Sequence, residues 1–320
     1  MESISTQQNH SYKEVETMAS FSRRLAAPAF LAAAALLVGC SSGTAGEADS
    51  APAAGNTDAP AYDLLPQEFK DSGVIRIAMA STAPPYSSAA GGEWSGLIPE
   101  LGMAAEPMLG IDIEIVDTPY TGQIAALKAG KVDMVWGATY DNVDTEAVVD
   151  LASYMRSAAS PMTLKSKNIT LEEPEDMCGH IVGTIAGGGI QVYLENFAKD
   201  CEASGKPMDL RLYDTSSGAT AQLQSGQIEV LLGIDLIQRY AAKTLNDGAV
   251  FEVHDVQVLP SIYGMAFTKG DTELQEAMME AVRQIMKNGE YSKVFAAYDA
   301  EKYELTPDEV MINGVGAGKL

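Results

Sequence analysis

A chain of 320 residues with a formal charge of −23 is long enough for two packed lobes, and its charge has the wrong sign for a protein that tracks nucleic-acid phosphates with a basic face. Its apolar and aromatic content is ordinary for a globular protein. His10, His180 and His254 are scattered and the cysteines do not cluster with them, so neither a metal site nor a cofactor is expected.

Near the start, Arg23 and Arg24 follow Met18, a candidate true start, and precede a largely apolar run from Leu25 to Val38. The run is short for a bilayer span and suits the core of a signal peptide, so residues 1–39 are read as a removed leader. It ends Leu37-Val38-Gly39-Cys40, which resembles the lipobox of bacterial lipoproteins. The resemblance implies that Cys40 is the lipidated first residue and that the protein is extracytoplasmic and anchored to the cell membrane. Residues 40–61, rich in Ala, Gly, Ser, Pro and Asp, have little to bury and read as a flexible tether. With Cys40 assigned to the lipid, Cys178 and Cys201 remain as one pair in a compartment that permits disulfides. A bridge closing a loop of that size stabilises by roughly 3 kcal/mol in the chain-entropy model.

Order is expected from Tyr62. Val74 to Ala80 reads as a strand, followed by a turn at Ala83-Pro84-Pro85-Tyr86, a helix from Ile98 to Leu109 ended near Pro107, and a strand from Ile111 to Asp117. Two stretches then repeat one another at a constant offset, Ile124 to Thr139 and Thr220 to Asp235. Ala125, Leu127, Gly130, Val132, Asp133, Val135 and Gly137 fall on Ala221, Leu223, Gly226, Ile228, Glu229, Leu231 and Gly233. Each copy reads as the end of a helix, a capping Gly and a short buried strand, which is half of a βαβ unit. Two such copies suggest two α/β lobes with a ligand held beyond the strands' carboxyl ends, where Thr139 and Asp235 fall. Thr and Asp serve equally well as helix N-caps.

Between and after the copies, Leu171 to Asp176 reads as a surface connector. A strand from Ile181 to Ile185 follows, then a Gly-rich turn from Ala186 to Gly189 that serves either a ligand or a tight bend, and a helix from Ile190 to Glu202. Leu210 to Tyr213 is a further strand. A helix running through Tyr240, a strand from Ile262 to Thr268 and helices from Thr272 to Asn288 and Glu290 to Tyr298 complete the body.

From Gly73 to Tyr298 the chain resembles the polar-amino-acid family of extracytoplasmic solute-binding proteins, family 3, the receptors of ABC importers. The motifs are Pro84-Pro85-Tyr86, Gly96-Leu97, the run from Tyr120 to Leu127, Gly130-Lys131-Val132-Asp133, Val149-Asp150-Leu151, Tyr263-Gly264-Met265-Ala266 with Lys269-Gly270-Asp271, and Asn288-Gly289-Glu290-Tyr291. The resemblance implies an α/β fold of the type II periplasmic-binding-protein kind, two α/β lobes joined by a two-strand hinge. Lobe 1 is expected over 62–162 and 259–300, lobe 2 over 163–258, and a C-terminal tail over 301–320. It also implies a non-enzymatic monomer that takes an amino acid, amine or compatible solute in the interlobe cleft and delivers it to ABC permease subunits.

Departures from the family pattern bear on the ligand. The Arg that pairs with a substrate carboxylate in the amino-acid receptors is missing after Gly137-Ala138-Thr139, while Asp235 falls on the ammonium-binding Asp once one residue of shift is allowed. Ligand contacts are therefore expected at Tyr86, Tyr120, Trp136, Gly137, Thr139, Asp141, Asp144, Gly188 and Asp235, and a cation is favoured through charge and aromatic faces. Core packing is the alternative for Tyr120, Trp136 and Trp94, and helix capping the alternative for Asp141 and Asp144. Arg156 is the base that could still receive a carboxylate. A dehydratase-like enzyme on the same fold and a sensory lipoprotein are the competing functions.

Overall fold

The computed structural model describes residues 55–187 and 189–320, and among these no helix is long and apolar enough to cross a membrane. The expected leader, Cys40, most of the tether and Gly188 lie outside the described residues.

Helix α1 (Gln67–Ser72) ends on Gly73 and feeds β1 (Val74–Met79), which has parallel neighbours and is buried along most of its length, hence its continuous apolar run. The expected turn is a small antiparallel sheet of its own, β2 (Thr82–Ala83), β3 (Ser87–Ala90) and β4 (Glu93–Ser95). Helix α2 (Leu97–Leu109) buries Leu97, Ile98, Leu101, Ala105 and Leu109 at helical spacing. Pro107 does not end it, contrary to expectation. The ring removes one N–H donor in the last turn, and Gly110 still closes the helix by donating to the Glu106 carbonyl at 2.8 Å.

Strand β5 (Asp112–Asp117) lies parallel to β1, and α3 (Gln123–Lys128) leads into β6 (Met134–Tyr140). The short α4 (Val143–Glu146) precedes β7 (Asp150–Leu164), a 15-residue strand buried almost throughout. The other lobe follows: β8 (Ile181–Ile185), α5 (Gly189–Ala203), β9 (Asp209–Tyr213), α6 (Ser216–Gln224), β10 (Val230–Ile234) and α7 (Asp235–Thr244). After β11 (Phe251–Val253), β12 (Val258–Phe267) leads to α8 (Thr272–Lys287) and α9 (Glu290–Ala297). The strands run in the order β5-β1-β6-β12-β7-β10-β8-β9, so the antiparallel pair β12 and β7 is what connects the β1 side to the β8 side. The Cys178–Cys201 disulfide ties the entry of β8 to the last turn of α5, with Cα atoms 5.2 Å apart.

The repeat seen in the sequence is a repeat of hydrogen bonds. In the first copy the Asp133 amide donates to the Arg76 carbonyl at 2.9 Å, and the Asp133 carboxylate accepts the Arg76 amide at 2.7 Å. In the second the Glu229 amide donates to the Ile181 carbonyl at 2.9 Å, and its carboxylate accepts the Ile181 amide at 3.1 Å. Each acid thus locks its strand to the neighbouring parallel strand, β1 in one lobe and β8 in the other. Gly137 and Gly233 are matched in the same way. A Cβ on Gly137 would stand 3.1 Å from Gln123 Oε1, and one on Gly233 only 2.5 Å from Gln238 Nε2, so each glycine makes room for a buried carboxamide.

Residues 301–320, expected as a tail, belong to the fold. Tyr303, Leu305 and Val310 are buried. Asn313 exchanges hydrogen bonds with Leu151, and the Ser153 amide donates to the Met311 carbonyl at 3.0 Å. The physical reason is an open strand edge. β10 pairs only with Ala159 to Thr163 of β7, and the C-terminal segment covers part of the edge that remains.

Candidate functional site

The end of β6 carries the first group of candidates. Gly137 lies beside Gln123, whose side chain is 2% exposed and donates through Nε2 to the Thr118 carbonyl at 3.2 Å, while its Oε1 has no partner. Gly137 in turn gives its carbonyl to the Tyr154 hydroxyl at 2.8 Å. Thr139 is buried opposite Gly264 of β12. Tyr140 and Tyr86 both meet the Tyr263 ring edge-on, with centroids 6.5 and 5.8 Å away. Tyr120, on the turn before α3, is 58% exposed.

Asp141 is the unusual member. It is 2% exposed, and neither carboxylate oxygen has a hydrogen-bond partner. Burial, with Glu146 close by, pushes its pKa up to about 7. Glu146 is held by the Gly316 amide, which donates to Oε1 at 2.8 Å. Asn142, not Asp141 or Asp144, caps α4 by accepting from the Thr145 amide at 3.0 Å, and Asp144 is exposed on the first turn.

Two expected contacts have no exposed surface in this structure. Trp136 is wholly buried, packed edge-on against Tyr154 at 6.0 Å, because alternate residues of β6 face the main core. Asp235 also has no exposed surface. As the first residue of α7 it points into the hinge, where its Oδ2 holds Arg239 Nε at 2.8 Å and Lys302 Nζ at 3.1 Å. Arg156 is engaged as well, paired with Glu309. Trp94 is half-buried against the main core. Tyr86 is buried beside Tyr263.

The site so described joins carbonyl and carboxylate acceptors with exposed aromatic faces on one lobe of an α/β pair linked by two strands. Residues 75–300 match the family model described as bacterial extracellular solute-binding proteins, family 3. The chain belongs to that family. Its fold is accordingly the type II one expected, with β7 and β12 as the hinge strands. Among family 3 relatives, the L-cystine-binding protein TcyJ of Escherichia coli K12 is 22% identical over 232 residues, 70% of this chain and 82% of that protein. The arginine-binding extracellular protein ArtP of Bacillus subtilis 168 is 24% identical over 232 residues, 70% of this chain and 86% of that protein. Among solved structures, the ancestral amino acid-binding protein AncCDT-1, described as a precursor of cyclohexadienyl dehydratase, superposes with a TM-score of 0.57 at 24% identity, covering 74% of this chain and 99% of that one.

The family 3 match stops at residue 300, so the segment carrying Lys302, Tyr303 and Glu309 lies beyond it. Sequence reasoning missed Gln123, Glu146 and Lys302. Gln123 had a readable signal, a carboxamide directly ahead of the apolar run Ile124 to Leu127. The other two depend on where a distant segment returns.

Proposed function

We propose that this chain is the extracytoplasmic receptor of an ABC importer, lipid-anchored through Cys40, that captures a cationic amino acid or amine in the interlobe cleft and delivers it to a membrane permease. The observation that carries the choice of ligand is Asp141, a buried carboxylate beside Glu146 to which no N–H, O–H or cation of the described residues donates. Such a group is costly unless a cation or N–H donors replace its lost water. A solute ammonium or guanidinium supplies both, and the unpartnered Gln123 Oε1 beside Gly137 is proposed as a second acceptor. Tyr120 adds an aromatic face worth about 0.5–2 kcal/mol to a cation. Gly137 and Thr139 shape the floor, and Gly188 is the proposed contribution of the second lobe.

Arg156 is paired with Glu309, which supports a ligand whose carboxylate is not essential. The names of the relatives, arginine- and cystine-binding proteins, support amino-acid-like solutes as the class.

Thermal-shift screening tests this reading. L-arginine, L-histidine, agmatine and glycine betaine are expected to raise the melting temperature, by an amount equivalent to about 2.7 kcal/mol at a hundred times Kd. L-glutamate is expected to leave it unchanged, and a response to glutamate alone would overturn the proposal. Anchoring is checked separately: Cys40→Ala is expected to release the protein from the membrane fraction, and unchanged retention would refute it.

A further inference from the structure

A buried carboxyl stays ionised at low cost only where cations or N–H donors stand in for water, and otherwise its pKa rises. For Asp235 both cations come from the chain itself. Arg239, one turn along α7, and Lys302 approach the same oxygen at 2.8 and 3.1 Å, while Ser160 of β7 and Tyr303 come near the carboxylate without good hydrogen-bond geometry to Oδ1. Burial alone would raise the Asp235 pKa, and the groups around it, Arg239 foremost, hold it below the ordinary carboxylate value.

The two cations differ in origin. Arg239 shares a helix with Asp235, whereas Lys302 belongs to the segment beyond the family match, and that segment is fixed to the first lobe. The Leu305 amide donates to the Tyr291 hydroxyl at 3.0 Å, and Tyr291 donates to the Tyr154 carbonyl at 2.7 Å. Arg283 of α8 donates to the Val310 carbonyl at 2.6 Å. Helix α7 follows directly on β10, a second-lobe strand. Its Leu236, next to Asp235, is buried in the same core cluster as Met155, Tyr263 and α8. A second ion pair, Lys243 with Asp299 at 2.6 Å, joins α7 to the residues just before that segment, but both of its partners are exposed and screened.

We propose that Lys302 is the resident cation of Asp235 and latches α7 of the second lobe to the first lobe at the hinge. Asp235 reads the chain's own C-terminal segment. Opening of the lobes then requires Lys302 to leave Asp235, and selectivity among solutes is set elsewhere in the cleft. The inference involves no solute and stands or falls apart from the function proposed above.

Hydrogen exchange followed by mass spectrometry on the full chain without solute tests it. In Lys302→Met, exchange in α7 and in residues 299–305 is expected to be about tenfold faster than in wild type, with β1 and β5 unchanged. Lys302→Arg, which keeps the charge, is expected to restore protection. Should the Met variant not fold, Lys302→Gln is read in the same way. Wild-type exchange in α7 of the uncharged variant, equal acceleration throughout the molecule, or failure of Arg to rescue would each overturn the latch.

Discussion

Asp141 and Asp150 lie nine residues apart at opposite ends of the α4 turn, and their surroundings push them in opposite directions. Asp141 has Glu146 beside it and no donor, and its pKa is raised to about 7. A folded-state value above that of the unfolded chain means the native state holds the extra proton between about pH 4 and pH 7, so solute-free stability falls as pH rises through that window. Asp141→Asn removes the loss. The variant is expected to melt higher than wild type at pH 8 and close to it at pH 5, and equal melting at pH 8 would refute this. Asp150 is burdened by burial, yet it accepts from the Gly270 amide at 2.8 Å, Asn313 Nδ2 at 3.0 Å and Gln275 Nε2 at 3.1 Å, and it pairs with Lys269 at 3.2 Å. These partners hold its pKa at about 2. Its stabilising effect is therefore full above the unfolded value near 4 and is lost as pH falls toward 2. Asp150→Asn is expected to cost about 2 kcal/mol in denaturant unfolding at pH 7, with a narrower gap at pH 3, and a gap that widens on acidification would contradict the assignment. The sequence offered Asp141 as either a ligand contact or a cap. It could not reveal the pairing with Glu146, which depends on how Asn142 starts a four-residue helix and on Gly316 arriving from the far end of the chain.

Among the elements, the repeated α/β halves were the most legible. A buried parallel strand after a Gly-capped helix has a composition that few other structures share, and the matched acids Asp133 and Glu229 repeat because each must hold a neighbouring strand's amide. β7 was not legible. Its run Asp150–Leu164 contains Ser, Arg and Pro, and burial of nearly every residue leaves no period of two to read. The C-terminal segment escaped for a related reason: Tyr303 and Leu305 are two apart but Val310 is five further on, so no single period is sustained, and their burial follows from the open edge of β7. The Cys178–Cys201 bridge was reached by counting, and it joins two elements of one lobe. Replacing both cysteines with serine is expected to lower unfolding free energy by about 3 kcal/mol, measured by urea titration, and a loss below about 1 kcal/mol would show that the loop is already held by packing.

At the scale of the whole molecule, two lobes joined by β7 and β12 form the fold of the solute-binding family, and in the function proposed a solute would shift population toward closure through contacts made only when the lobes meet. Charge placement gives this receptor its character. Of the charged groups singled out from the sequence, Arg156 is matched by Glu309 and Asp235 by Arg239 and Lys302, while Asp141 is left without a counter-ion. In the function proposed, a solute that brings a cation would complete the set. The most direct measurement is isothermal titration calorimetry of wild type and Asp141→Asn at pH 7.5 with L-arginine, agmatine and L-glutamate. Arginine and agmatine are expected to bind wild type with similar affinity and to lose about a hundredfold, near 3 kcal/mol, in the variant, while glutamate binds neither. Tight binding of glutamate that Asp141→Asn leaves unchanged would contradict a cation-reading site.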